Sequence, residues 1–297
     1  MGLWDVERIQ AQVKRSLGRV SDALPRAWGL GLLTQTDDST DDRAMDQRAT
    51  DQRAIDDRAI VAARGALIPP PPLLSIVLPT LNEAQNLPQV LGTIPAGVDV
   101  VVVDGGSADR TAEVANAWGA RVICSAPGRS HQLNRGVAAA TGSILLFLHA
   151  DTRLPEGFEQ AIRQTLAQPG VVAGAFRLAI NGPGRGLRWV EWGVNVRSRV
   201  LQMPYGDQAI FLRAEVFNQI GGFPDLPMME DFELVRRLRK QGRVAITPAT
   251  VVTSDRRWRT LGILRTTLAN QAMIAGYFLG IDPHKLARWY RDLGKPR

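Results

Sequence analysis

Three acidic positions stand where carboxylates do chemistry more readily than packing. Asp104 closes the apolar run "VVVD", Asp151 follows "LLFLH" in the triplet His149-Ala150-Asp151, and Glu230-Asp231 open an apolar-periodic stretch after "PMM". A carboxylate at Asp104 can accept hydrogen bonds from a ribose or a base edge. Asp151 suits a hard divalent cation, which takes oxygen ligands and bridges to substrate phosphates through one or two protein carboxylates. His149 is expected to form a hydrogen-bonding wall of that pocket rather than to ligate the ion. Glu230, Asp231 and Glu233 crowd a helix start, where the dipole favours acids. Two adjacent acids still offer more than capping, and one can face a pocket as a general base.

Cationic and small residues complement these acids. "APGRSHQLNRG", 126–136, sets Arg129, His131, Asn134 and Arg135 at a loop–helix start. That arrangement suits a diphosphate through backbone N–H groups and guanidinium forks; ordinary solvent exposure is the plainer alternative for any one of them. Gly105 and Gly106 after Asp104 permit positive φ and close backbone approach. Ser107 or Asp109 can cap the helix that follows. "SDRRWRT", 254–260, gathers cationic and aromatic residues after a strand.

The elements that must position these groups are regular from residue 73 onward. Apolar runs such as "LLSIVLP", "VDVVVVD" and "SILLFLH" alternate with helical stretches such as "SADRTAEVANAWG" and "SHQLNRGVAAATG". Strands that are continuous β-branched and leucine runs imply an α/β fold, a mostly parallel central sheet with helices on both faces. Ligands bind such sheets at the carboxyl ends of their strands. Pro79-Thr80-Leu81-Asn82-Glu83, Asp104-Gly105-Gly106 and His149-Ala150-Asp151 all fall there.

Upstream, residues 3–28 read as an amphipathic helix, with Leu3, Val6, Val13, Leu17, Val20, Leu24 and Trp28 at three- and four-residue steps. Docking on a protein surface is the plainer role, and a membrane-surface helix is the alternative. Residues 41–60 repeat a five-residue unit, "DDRAM DQRAT DQRAI DDRAI". Five matches neither helix nor strand period, so an acidic, disordered linker is expected, ending in "PPPP" at 69–72. The expected organisation is a helical extension at 1–33, a linker at 34–72, the main domain at 73–258 and a helical segment at 259–297.

Composition narrows the partners. Residues 37–60 carry eight Asp and four Arg, net −4 against +7 for the whole chain, so the remainder carries +11. A basic folded part favours anionic partners. No basic segment interleaved with aromatics suggests base stacking, so nucleic acid is not expected. Cys124 is the only cysteine among 297 residues, which excludes an intramolecular disulfide and fits a reducing compartment. No secretory signal is evident, and the longest apolar stretch, 268–281, is shorter than the roughly 20 residues a span needs. A cytoplasmic location, compatible with the inner face of a membrane, is expected. A dinucleotide fold would need glycines in the first strand–helix turn, and "PTLNEAQN" has none. No P-loop is present either.

Taken in order, "SIVLPTLNEAQNL", "VVVDGGSADRT", "LNRGVAAATGSILLFLHADT", "GGFPD" and "MMEDFEL" resemble the family 2 glycosyltransferases, over roughly residues 73–258. With "RRW", the pattern looks most like a bacterial subgroup labelled as arsenosugar-biosynthesis-type. The resemblance implies a GT-A fold and a metal-dependent, inverting transfer from a nucleotide-diphosphate sugar to a hydroxyl acceptor. By matching position it implies Asp104 at the base or ribose, with Pro79, Thr80, Asn82 and Glu83 lining the nucleotide pocket. It also implies Asp151 on Mg²⁺ or Mn²⁺, Asp231 as base with Glu230 next in line, and Arg257 and Trp258 on the diphosphate or acceptor side. His149 replaces the first Asp of the family's Asp-x-Asp motif, which removes a negative charge near the metal. Ser254 stands where processive members carry Gln, which favours single-sugar transfer.

The nearest enzyme alternative is a nucleotidyltransferase, which would usually carry a glycine- and basic-rich loop after the first strand. The alternative from another class is a non-catalytic membrane-surface scaffold using 3–28 and 260–291, which leaves Asp104, Asp151 and Asp231 without a role. As an added property, peripheral membrane contact suits a lipid-linked or apolar acceptor. Acceptor contacts are expected from a variable loop at 181–206 and from the C-terminal segment.

Overall fold

A computed structural model of the chain describes residues 74–293. The expected helix within 1–33 and the repeat and proline-rich linker at 34–72 lie outside the described residues.

The first half alternates strand and helix. β1 (Leu74–Thr80) leads to α1 (Leu87–Leu91), β2 (Asp99–Asp104) to α2 (Thr111–Ala117), β3 (Arg121–Cys124) to α3 (Arg129–Ala139), and then comes β4 (Ile144–Phe147). β5 (Thr152–Arg153), α4 (Phe158–Leu166) and β6 (Val171–Asn181) follow. The second half holds α5 (Arg185–Leu201), β7 (Phe211–Arg213), α6 (Ala214–Gln219), α7 (Glu230–Gln241) and β8 (Arg243–Ser254). It closes with α8 (Arg256–Leu261), α9 (Ile263–Phe278) and α10 (Pro283–Leu293).

The eight strands form one sheet in the order β3-β2-β1-β4-β7-β6-β8-β5. The β3-β2-β1-β4 half is parallel, as its apolar runs imply. The other half is mixed: β7 pairs antiparallel with β4 and β6, β6 runs parallel to β8, and β5 antiparallel to β8.

Alternation along β1 divides the core. Ile76 and Leu78 join Val102, Leu146, Phe158 and Phe176 on one face. Val77 joins Val101, Val103, Phe147, Leu133 and Leu234 on the other. α3 lies flush on this second face because residue 136 is glycine. A Cβ there would come within 2.3 Å of Val77 Cγ1 and 2.9 Å of Val103 Cγ2.

Asp99 fastens the amino-terminal ends of these strands, away from the candidate site. Its carboxylate accepts hydrogen bonds from Ser75 Oγ, the Thr141 backbone and the Arg121 guanidinium. Burial alone would push this carboxyl up, but those bonds outweigh it and hold it at about 2.

Residues 181–206 are not the variable loop their Gly and Pro punctuation suggests. Most of the segment is the 17-residue helix α5, and its side chains complete the edge of β6. The Asn195 amide accepts from Leu178 N and donates to Leu178 O, both at 2.9 Å. Glu191 accepts from Ile180 N, and Arg188 donates to Ile180 O at 2.7 Å. Gln208 donates to Phe176 O at 2.9 Å. β6 lies between β7 and β8, but β7 reaches only Ala173 and Gly174; beyond them the backbone groups on that side are paired by α5 and by Gln208 in the short turn after it.

Candidate active site

A cavity of about 840 Å³ opens at the carboxyl ends of the strands. Its floor comes from Pro79 and Thr80 at the end of β1, Arg129 and Gln132 on α3, and His149, Ala150 and Asp151 beyond β4. One wall holds Tyr205, Asp207 and the start of α7 with Glu230 and Asp231. Glu83, Arg256, Arg257 and Trp258 also line it, as do Asn270, Met273 and Tyr290 from the C-terminal helices. Asp151 and Asp231, 80 positions apart in the chain, therefore share one space.

Backbone geometry aims the acids. Met229, a non-glycine residue with φ of 67°, turns the chain sharply into α7. Such strain costs on the order of 1–3 kcal/mol and tends to cluster at functional sites. Asp231 Oδ2 then accepts a 2.6 Å hydrogen bond from Gly206 N, and Oδ1 accepts from Phe232 N at 2.7 Å. Residue 206 is packed between two functional groups: a Cβ there would lie 2.8 Å from His149 Nε2 and 3.1 Å from Asp231 Oδ2. The "HAD" and "MED" stretches therefore meet across one glycine.

Charges in the cavity are interleaved. Glu230 is almost wholly buried and pairs with Arg129 at 3.3 Å. Burial pushes its carboxyl up against the pull of Arg129. Asp151 is also pushed up, by burial first, with Arg256 pulling the other way. Arg256 reaches Glu83 at 2.7 Å and Asp151 at 3.7 Å, so one guanidinium serves two carboxylates. His149 is held well below the usual imidazole range by burial, then by Arg129 and Arg257, so it is neutral at physiological pH. Asp207 is pushed up to about 6, mainly by burial, and its Oδ1 is buried without a hydrogen-bond partner among the described residues. Arg257 donates to Tyr290 Oη at 2.8 Å, and Tyr290 in turn donates to Asn270 at 2.8 Å.

Five residues expected at the nucleotide do not line this cavity: Asn82, Asp104, Gly105, Gly106 and Asn134. Asp104 is buried behind Thr80, and its carboxylate accepts from Ser107 Oγ, Ser107 N and Gly106 N. It holds the loop rather than offering free oxygens. Asn82 ties the same loop down, accepting from Ala108 N at 2.8 Å. Gly105 lets that loop approach: a Cβ would come 3.0 Å from Gln132 Nε2. Asn134 spends its amide on Phe223, donating to its O at 2.9 Å and accepting from its N at 3.0 Å. Among the cavity residues that the sequence did not single out are Gln132, Tyr205, Asp207 and Arg256. Only Arg256 carried a signal, as the first arginine of "RRW".

The donor set fits one hard cation. Among the described residues, no group of three or more His, Cys, Asp or Glu is placed to hold an ion. Asp151 and Glu83 each bring a carboxylate to the cavity just beyond a strand end and share Arg256, and one such carboxylate suits an ion completed by waters and substrate phosphates.

The family model described as glycosyl transferase family 2 matches residues 75–223. An uncharacterized glycosyltransferase of Mycobacterium tuberculosis is 36% identical over 130 residues, 43% of this chain and 57% of that protein. A PGL/p-HBAD biosynthesis glycosyltransferase of Mycobacterium bovis is 43% identical over 96 residues, 29% of this chain and 38% of that protein. The chain thus spans about half the length, or less, of these curated relatives. Among solved structures, the mannosyltransferase PcManGT from Pyrobaculum calidifontis, in complex with GDP-Man and Mn²⁺, is similar at a TM-score of 0.52 and 22% identity, covering 68% of this chain and 64% of that one. Glucosyl-3-phosphoglycerate synthase from Mycobacterium tuberculosis, in complex with Mn²⁺, UDP and glucosyl-3-phosphoglycerate, is similar at 0.50 and 23% identity, covering 67% and 78%. Likeness at that identity concerns the fold, which is GT-A.

Proposed function

This chain belongs to the family 2 glycosyltransferases, and from that premise we propose that it transfers a single sugar from a nucleotide-diphosphate sugar to a hydroxyl acceptor, with inversion. The observation that carries the proposal is the presence of Asp151, Asp231 and the cations Arg129 and Arg257 around one cavity at the strand ends.

Pro79, Thr80 and Glu83 form the nucleotide side, and Arg129 and Arg257 face the diphosphate. Asp151 would hold Mg²⁺ or Mn²⁺, and a bound ion would supply positive charge to the departing diphosphate. Asp231 takes the proton of the acceptor hydroxyl on a carboxylate oxygen. The new bond from that hydroxyl oxygen to the anomeric carbon forms as the bond to the diphosphate oxygen breaks, and the nucleoside diphosphate leaves with the electron pair. Glu230 is the weaker candidate for base because it is buried and already paired with Arg129. Neutral His149 beside Gly206 can donate or accept one hydrogen bond to the sugar without adding charge. Met273, Ile274 and Ala287 give the cavity an apolar lining, which favours an acceptor with an apolar portion.

A thermal-shift screen of nucleoside diphosphates with and without Mn²⁺ tests the donor side, beginning with UDP and GDP, because bound ligand raises the melting temperature. Release of nucleoside diphosphate from the matching nucleotide sugar supports glycosyl transfer. Release of pyrophosphate from a nucleoside triphosphate incubated with a sugar 1-phosphate would assign a nucleotidyltransferase instead.

A further inference from the structure

Helix α5 has two apolar faces, and only one is used. Leu187, Val190 and Val194 turn inward to the core. On the opposite side Trp189 and Trp192 stand 70% and 62% exposed, their rings 6.0 Å apart, and Val196 and Val200 continue the same stripe. Steps of three and four residues put these four on one face. Helix α9 repeats the pattern. Thr266, Ala269 and Met273 are buried, while Leu264 and Leu268 are 72% and 59% exposed. The two helices touch at their starts: a Cβ on Gly186 would lie 2.8 Å from Ile263 Cδ1. Trp289 on α10 is also exposed. Large apolar side chains are rarely gathered this way on a free surface.

Charge says what covers them. Arg185 and Arg199 on α5, Arg265 on α9, and Lys285 and Arg288 on α10 are exposed and carry no ion pair among the described residues. Only Asp282 and Asp292 oppose them along α9 and α10 and the turn between. A second copy of the same surface would bring these cations face to face, which disfavours self-association. An anionic bilayer satisfies both features at once: tryptophans settle at headgroup depth, and arginines and lysines pair with lipid phosphates. None of the described helices is long and apolar enough to cross a membrane, so the contact is with the surface.

We propose that the outward faces of α5, α9 and α10 dock this protein on an anionic membrane surface. The inner faces of α9 and α10 line the cavity through Met273 and Tyr290, so docking sets the cavity rim beside the bilayer. The inference goes beyond sugar transfer and does not depend on it.

The test is flotation of the full chain with phosphatidylglycerol–phosphatidylcholine vesicles against pure phosphatidylcholine. Binding is expected to be at least about tenfold stronger on the anionic vesicles and to fall in high salt. Trp189→Ser/Trp192→Ser is expected to lower partitioning about tenfold or more, with melting temperature unchanged because both side chains are exposed. Leu264→Ser/Leu268→Ser provides an independent second variant. Wild-type protein that stays off anionic vesicles, or variants that float as the wild type does, would overturn the proposal; the second result would move the anchor to residues 1–33. A dimer that the tryptophan variant dissolves would assign the face to a second copy. Nucleoside diphosphate binding, measured in parallel without lipid, reports on the donor site separately.

Discussion

Gly206→Ala places one methyl group between the His149 and Asp231 side chains. The new Cβ would lie 2.8 Å from His149 Nε2 and 3.1 Å from Asp231 Oδ2. An unstrained contact is about 3.5 Å, so His149 must yield by roughly 0.7 Å and Asp231 by roughly 0.4 Å. A misplacement of about 1 Å costs about 10²-fold in rate, so a shift of half that size is expected to lower kcat by roughly 10- to 30-fold. That loss corresponds to about 1.4–2 kcal/mol of transition-state stabilisation. The Gly206 N–H bond to Asp231 survives the substitution, and the cost to the fold is that of mild overpacking, about 1–3 kcal/mol. The assay is nucleoside diphosphate release at saturating donor, paired with a thermal melt and a donor titration. The loss should fall on kcat, with donor affinity held within about threefold. Turnover within twofold of wild type in a variant that melts normally would refute the placement of Asp231 and His149 at the reacting atoms. A loss confined to donor affinity would refute it as well.

Two further outcomes separate fold from site. Asn134→Ala leaves the Phe223 N–H and C=O without their partner. It should cost about 1–3 kcal/mol in a denaturant melt and leave nucleotide affinity unchanged; weakened nucleotide binding at normal stability would return Asn134 to the pocket. Asp207 is pushed up to about 6 by burial from an ordinary value of 3.8. The folded protein therefore holds this proton more tightly than the unfolded chain. The stabilising contribution is complete below about pH 4 and is lost as pH rises through about 6. The melting temperature of Asp207→Asn relative to wild type should rise across that window, by the equivalent of at most about 3 kcal/mol. A difference that stays flat with pH would contradict the burial of that carboxyl.

What the sequence disclosed followed from local pattern. Asp151 was legible because an apolar strand ran straight into it, and Asp231 because two acids opened a periodic helix. The parallel half of the sheet was legible from continuous β-branched runs. What escaped depends on partners distant in the chain. Asn134 looked like a ligand group, but Phe223, 89 residues away, takes both its hydrogen bonds. Asp104 looked poised at a strand end, and its own loop consumes it. Arg256 acquires its position from Glu83, 173 residues earlier, so spacing could not suggest it. Gly206 and Asp207 sit in a short turn with no periodicity. α5 was hidden for a different reason. Apolar residues on both of its faces blur the single stripe that marks an amphipathic helix, and Gly182, Pro183, Gly184 and Gly193 read as loop punctuation.

In the proposed reaction Asp231 takes the acceptor's proton in a cavity whose donor side is held by other groups. Single-turnover release of nucleoside diphosphate by wild type, Asp231→Asn and Glu230→Gln tests it most directly. Asp231→Asn is expected to be slower by about 10²-fold or more while the thermal shift from nucleoside diphosphate and Mn²⁺ is retained, and Glu230→Gln to lose less turnover. Near-normal release by Asp231→Asn, with the larger loss in Glu230→Gln, would contradict it.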